Sequence, residues 1–220
     1  MPPKSTPATL TFRRRLMRWF RRHGRDLPWR GTRDPYAVLV SEFMLQQTQV
    51  SRVEGFYHRF LARFPSVHEL AEATPGQVRE VWQGLGYYRR ADNLHRLARQ
   101  VVAQHDGRIP AESDRLIRLP GVGRYTAGAI ATFAFERAEP AVDTNVERVI
   151  RRVFHPRARG AAGRRRVWET AARLVPRAGN PAWTFNQAIM ELGATVCTAR
   201  VARCEACPVR VGCRTGGRGR

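Results

Sequence analysis

The stretch SDRLIRLPGVGRYTAGAI, residues 113–130, decides the fold. Ser113–Arg118 reads as helical, and a small-residue helix begins near Tyr125. Leu119-Pro120-Gly121-Val122-Gly123-Arg124 joins them. Glycines 121 and 123 permit tight backbone turns at positive φ and leave amide N–H groups at a helix N-terminus. Amides in that position bind a phosphate without reading a base. A plain helix–helix connection is the alternative for a lone G-x-G.

Outward from this turn, three-to-four spacing of apolar residues dominates. Pro35–Val50 carries Val38, Phe43, Leu45 and Val50 among polar residues, and the pattern recurs at Val53–Phe64, Val78–Gly84, Leu94–Gln104, Ala127–Phe135, Val146–Val153, Arg164–Val175 and Thr184–Leu192. Turn residues separate these segments at Phe64-Pro65-Ser66, Thr74-Pro75-Gly76, Asp106-Gly107 and Gly179-Asn180-Pro181. No period-two alternation and no internal repeat is present. The expectation is an all-α protein of about nine or ten helices, with a basic loop at Arg157–Arg166 and a disordered basic tail at Arg214–Arg220.

The 220 residues are 43% hydrophobic, enough for a packed core, and carry a net charge of +21. An excess of that size points to a polyanion, with nucleic acid favoured over a membrane surface or an anionic protein. Lys4 is the sole lysine among 39 basic residues. Arginine suits bidentate phosphate contacts, although a GC-rich genome accounts for most of the preference. The N-terminus lacks a secretory apolar stretch, and no run reaches the ~18 apolar residues of a membrane span. A cytoplasmic, nucleoid-associated monomer without membrane contact is expected.

All four cysteines follow the spacing Cys197-x6-Cys204-x2-Cys207-x5-Cys213. Four thiols in one short loop of a reducing compartment read as metal ligands. Only Cys204 and Cys207 form the two-residue knuckle usual in zinc sites; thiolates suit both zinc and iron–sulfur centres, and the spacing leans to the latter. In either case the metal chiefly folds the loop. Two carboxylates complete the chemistry. Glu42 stands between Val40 and Phe43 in an apolar helix, where desolvation would keep a proton available for general-acid work, unless it faces solvent or pairs with an arginine. Asp143 precedes Thr144-Asn145-Val146-Glu147, a helix-capping pattern. If Thr144 takes the cap, Asp143 is left to project from the helix entrance. A carboxylate beside a developing oxocarbenium ion, with an acid on the leaving group, is the logic of glycoside cleavage.

Together LPGVGRYTA, AVDTNVERV and the cysteine loop resemble the helix–hairpin–helix DNA glycosylase superfamily. RDLPWR (25–30), SEFMLQQTQV (41–50), GLGYYRRADNLH (84–95), LPGVGRYTAGAI (119–130) and FNQAIMELGATVC (185–197) are similar to its adenine DNA glycosylase branch, across residues 12–213. The resemblance implies a two-lobed helical fold with a C-terminal [4Fe-4S] cluster on Cys197, Cys204, Cys207 and Cys213. One lobe would span 26–135 with the hairpin, the other 1–25 plus 136–213, with the duplex in the cleft between them. It implies that Glu42 protonates adenine at N7 and Asp143 stabilises the sugar cation, supported by Tyr125 and Asn145. Arg25, Trp29, Leu45 and Gln187 would line the pocket for the extruded base. Gln47 and Tyr87 would wedge into the stack, and Gly121, Gly123 and Arg124 would hold the backbone of mispaired double-stranded DNA. Extrusion costs a few kcal/mol, least at a mispair.

Bifunctional relatives resembling endonuclease III carry a lysine where this chain has Tyr125. A Schiff base needs that amine, so base removal without strand cleavage is expected. Two departures bear on the substrate. The branch's usual Asp-Gly-Asn is here Asp143-Thr144-Asn145, and the chain stops soon after Cys213, so the C-terminal domain that reads 8-oxoguanine is expected to be missing. Short relatives that excise thymine or uracil from T·G or U·G pairs also end there; the Gln46-Gln47-Thr48 and Gly86-Tyr87-Tyr88 stretches favour adenine. A non-catalytic iron–sulfur DNA-binding protein is the reading of another class, opposed by Glu42 and Asp143.

Overall fold

The apolar spacing resolves into helices throughout residues 6–177 and 179–216, which the computed structural model describes. In chain order they are α1 (Pro7–His23), α2 (Pro35–Leu45), α3 (Val50–Arg63), α4 (Val67–Glu72), α5 (Pro75–Trp82), α6 (Arg89–His105), α7 (Ser113–Leu116), α8 (Arg124–Phe133), α9 (Thr144–Phe154), α10 (Gly160–Leu174) and α11 (Asn180–Thr195). Short 3-10 turns sit at Pro28–Arg30 and Cys204–Ala206. Among the described residues the only strand-like pairing is one bridge between Cys197 and Ala202. No described helix is long and apolar enough to cross a membrane. Lys4 and residues 217–220 of the expected tail lie outside the described residues.

The chain forms two compact units, Asp26–Phe135 and Met1–Arg25 with Glu136–Arg220. In the central unit, α2 packs against α3, α6 and α8. Every residue from Tyr36 to Met44 is buried. A helix covered on all sides needs apolar residues all round, which is why its sequence gives no clean stripe. Asp34 caps its start, accepting from the amides of Tyr36 and Ala37 at 3.2 Å each, with Pro35 at the first helical position. The expected helix over Pro35–Val50 instead ends at Leu45, and a turn over 46–49 precedes α3. The six-residue α4 was not anticipated, because so short an element carries barely one period. α5 starts at Pro75, three residues before the expected Val78, because Thr74 and Gln77 form a capping box.

In the terminal unit, α1 packs on α11, α11 on α9, and α9 on α10. Leu16, Val149, Ile150, Leu174, Phe185, Ile189 and Leu192 form the heart of this core. The expected basic loop at Arg157–Arg166 is helical from Gly160 onward. Its buried stripe is Gly163, Val167, Thr170, Ala171 and Leu174. The stripe is hard to read because its first member is a glycine: a Cβ there would lie 2.9 Å from the Ala158 carbonyl carbon. The start of the expected tail is also ordered. The Arg214 amide donates to Val153 O at 3.1 Å and Thr215 Oγ1 to Arg152 O at 2.8 Å, fastening the chain to the end of α9.

Candidate active-site residues and the cysteine cavity

Glu42 sits on α2 at 4% exposure, so the solvent-facing alternative is excluded. The glycine turn is pressed against the same helix. Gly121 has φ +77°, and a Cβ there would fall 2.9 Å from Phe43 Cε1 and 2.8 Å from Asn93 Cβ. Gly123 departs from expectation. It is extended (φ −92°, ψ 177°) and forms the N-cap of α8, with no side chain capping that helix. Only Gly121 therefore uses positive φ. A Cβ on Gly123 would meet nothing within 4 Å, so open space lies before the first amides of α8 and Arg124. Tyr125, one residue on, is half-buried.

Trp29 is 7% exposed and edge-on to the Tyr57 ring at 5.6 Å, within the core of the central unit. Leu45 is half-buried at the end of α2. Gln47 and Tyr87 are exposed, and both adopt left-handed backbone at φ 56° and 49°. Non-glycine residues held in that region store strain of about 1–3 kcal/mol each when the surroundings enforce it. The enforcing group is Arg90, buried at 7% exposure, which sequence reasoning missed. Its guanidinium donates to Phe43 O (3.1 Å), Met44 O (2.6 Å), Gln46 O and Gly86 O (3.0 Å). One side chain thus terminates α2 and ties the Gln47 turn to the Tyr87 turn. The available signal was an arginine pair after two tyrosines, which reads as surface charge.

In the terminal unit, Asp143 itself is the cap of α9; Thr144 does not take that place, as the sequence had allowed. Asp143 accepts from the Val146 amide at 2.7 Å and from Asn145 Nδ2 at 2.7 Å. Burial nevertheless pushes its carboxyl above the ordinary value; those hydrogen bonds and the charge of Arg148 pull the other way. Arg148 donates to Asn145 Oδ1 and Gly193 O at 2.7 Å each, and to Cys197 O at 2.8 Å. Gly193 lets α11 approach, since a Cβ there would stand 2.6 Å from Asn145 Cβ. Arg25 forms a two-pronged ion pair with Glu191, at 2.7 and 3.0 Å. Glu191 is fully buried on α11, one turn beyond the buried Gln187. Of the four expected pocket residues, Trp29 and Leu45 thus belong to the central unit, Arg25 and Gln187 to the terminal one. Glu191, flanked by Met190 and Leu192, carried the same signal as Glu42, an acid among apolar neighbours.

The four cysteines converge, lining one cavity of about 210 Å³ together with Val149, Leu192 and Val209. Arg152 Nη1 lies 3.4 Å from Cys197 Sγ, and the Gly216 amide 3.3 Å from Cys213 Sγ, both as donors to sulfur. A Cβ on Gly216 would reach within 3.0 Å of Cys204 Sγ. Burial raises the Cys207 thiol; the Val209 amide opposes this, and the other three cysteines raise it further. Among the described residues no three Cys, His, Asp or Glu are gathered closely enough for a single metal ion.

Residues 40–177, which include Glu42, the glycine turn and Asp143, match the HhH-GPD superfamily of base excision DNA repair proteins, and the chain belongs to that superfamily. It is 46% identical to the adenine DNA glycosylase of Mycolicibacterium smegmatis over 195 residues, 88% of this chain and 66% of that protein. It is 39% identical to the thymine-DNA glycosylase of Aeropyrum pernix, over 90% of each chain. In three dimensions it is similar to a thermostable thymine-DNA glycosylase (TM-score 0.86, 30% identity, 96% of this chain and 97% of the other). It is also similar to endonuclease III in a non-covalent DNA complex (TM-score 0.77, 25% identity, 93% of each chain). The chain spans about two thirds or less of the adenine glycosylases it matches, down to 37% of that from Arabidopsis thaliana.

Proposed function

We propose that this protein is a monofunctional DNA glycosylase that excises adenine mispaired with 8-oxoguanine or guanine. The observation that carries this reading is Glu42, a carboxyl group withdrawn from water inside an apolar helix of a base excision repair protein. An acid so placed delivers a proton to N7 of the outgoing base, and loss of the base leaves positive charge on the sugar. Asp143 stabilises that cation, held in place by Val146 and Asn145. The raised proton affinity of Asp143 reflects an anion short of solvent, and such an anion interacts strongly with a nearby cation.

Gly121, Gly123 and Arg124 take a backbone phosphate at the start of α8. Gln47 and Tyr87, exposed and already strained, enter the base stack, while Trp29, Leu45, Arg25 and Gln187 receive the extruded base. With tyrosine at 125, where bifunctional relatives carry a lysine, that position offers no amine for a Schiff base, and strand cleavage does not accompany base loss. The cysteine cavity accepts a [4Fe-4S] cluster: four thiols line one space, with N–H donors aimed at two of the sulfurs. Ligation by Cys197, Cys204, Cys207 and Cys213 supplies folding free energy to a loop that has almost no core of its own.

Single-turnover base release from duplexes containing A·8-oxoguanine, A·G, T·G and U·G, developed with alkali, tests the assignment. Release from the adenine pairs is expected. Release confined to T·G or U·G would transfer the protein to thymine excision, a reading favoured by the match to the Aeropyrum pernix enzyme over 90% of each chain. Binding without release from any duplex would refute catalysis.

A further inference from the structure

Charge is divided very unequally between two units of equal length. The central unit holds 14 arginines against 11 Asp or Glu, a net of +3; the terminal unit holds 25 Lys or Arg against 7 acids, a net of +18. A genomic bias toward arginine acts on both halves alike and does not remove acids from one of them. The excess therefore belongs to the terminal unit, and among its described residues part of it is concentrated.

At the C-terminal end of α9 lies a groove of about 750 Å³ that includes His155, Arg157, Arg166, Arg214 and Thr215 in its lining, with no carboxylate. A second groove of about 520 Å³, carrying Arg151, Arg152 and Arg159, shares Pro156 and Thr215 with it. Its one acid, Glu147, is paired with Arg151 at 3.1 Å. Arg157 and Arg166 are exposed. Burial lowers the proton affinity of His155, and the charges of Arg214, Arg173 and Arg166 lower it further, against Glu169. Cations collected around the first groove, which no acid lines, are matched through their guanidinium forks to phosphate oxygens.

The geometry points to this groove as a second phosphate-backbone site, engaging DNA away from the base being excised. It rests on the DNA-glycosylase reading and goes beyond it. Asp143 caps the opposite end of α9. The eleven residues between place the groove about 16 Å away at ~1.5 Å rise per residue, which is about 5 base pairs along a duplex at ~3.4 Å each.

The test compares wild type with Arg157→Gln/Arg166→Gln in equilibrium binding to A·8-oxoguanine duplexes over a range of salt. One duplex extends ten or more pairs to both sides, roughly twice the estimated offset; the other stops three pairs from the mispair on both sides, short of it. On the long duplex the slope of log Kd against log salt is expected to fall by about 1.8 in the variant, for two phosphate contacts. On the short duplex the two proteins should have equal slopes, and Arg157→Lys/Arg166→Lys should keep the wild-type slope on both. Equal slopes on the long duplex, with wild-type binding intact, would overturn the groove site alone. The same result together with loss of poly-glutamate binding by the Gln variant would give the groove to an acidic polypeptide instead. Failure of the wild type to bind either duplex would overturn the glycosylase reading and the groove site with it.

Discussion

Replacing Arg90 by methionine tests whether one buried side chain holds two loops. Methionine keeps the apolar stem as far as the position of Nε, but removes every donor together with the guanidinium carbon that lies 5.5 and 5.3 Å from the Trp82 and Tyr87 rings. Gln46 and Gly86 are half-buried, and their carbonyls can turn to water. Phe43 and Met44 are fully buried, so their carbonyls are stranded at about 1–3 kcal/mol each. Relief of the guanidinium's own desolvation, visible as its lowered proton affinity, offsets part of that loss. A net loss of about 3 kcal/mol remains, equivalent to a fall in Tm on the order of 10 °C for a unit of this size. Thermal unfolding followed by circular dichroism measures it, with mispair binding as a second readout because the Gln47 and Tyr87 turns lose their shared anchor. Arg90→Lys should recover little, since a point donor cannot span carbonyls on two turns. A Tm within ~2 °C of wild type, or full rescue by lysine, would refute this account, because a lost anchor of this size should move Tm several-fold further.

Burial raises the Asp143 carboxyl, so the folded protein binds that proton more tightly than the unfolded chain, and stability declines as pH rises from the ordinary carboxylate value to the raised one. Asp143→Asn keeps a capping acceptor but cannot ionise. Above that window its Tm is expected to match or exceed wild type while base release is lost; a deficit at pH 7 that closes in acid would reverse the sign. Gly193→Ala should push α11 from α9 and cost about 1–3 kcal/mol, read as a lower midpoint in urea, because the colliding atoms are Asn145 Cβ and backbone. Gly121→Ala combines a left-handed φ with contacts below 3 Å, and should lower both stability and duplex affinity. Cys207→Ser should bleach the visible absorbance of an iron–sulfur centre and lower Tm; unchanged absorbance would remove Cys207 from the ligand set.

Much of the helical plan is legible in the sequence because helices announce themselves locally. Asp34-Pro35, Thr74-Pro75-x-Gln77 and Asp143 are start signals that act within one turn of chain, and the long amphipathic elements repeat their stripe several times. Misreadings fell where local signal was weak or ambiguous. α4 is too short to show a period, α10 begins its buried stripe with a glycine, and α2 has no polar face to mark it. Glu42, Asp143 and the four cysteines stand out by residue type against their surroundings. Arg90, Arg148 and Arg152 do not, since in a chain with 38 arginines nothing local separates a buried clamp from a solvated charge.

The sequence by itself determined an all-helical chain, a glycine turn before a helix, a set of four nearby thiols and an acid within an apolar helix. Each depends on residues a few positions apart, where backbone geometry limits the outcomes. Tertiary structure alone decided that Asp143 is both helix cap and desolvated anion, that Arg25 is held by Glu191 across 166 positions of sequence, and that Arg90 reaches carbonyls 44–47 residues away. Those outcomes depend on which groups lose water together. Burial is a property of the packed whole, and no window of chain contains it.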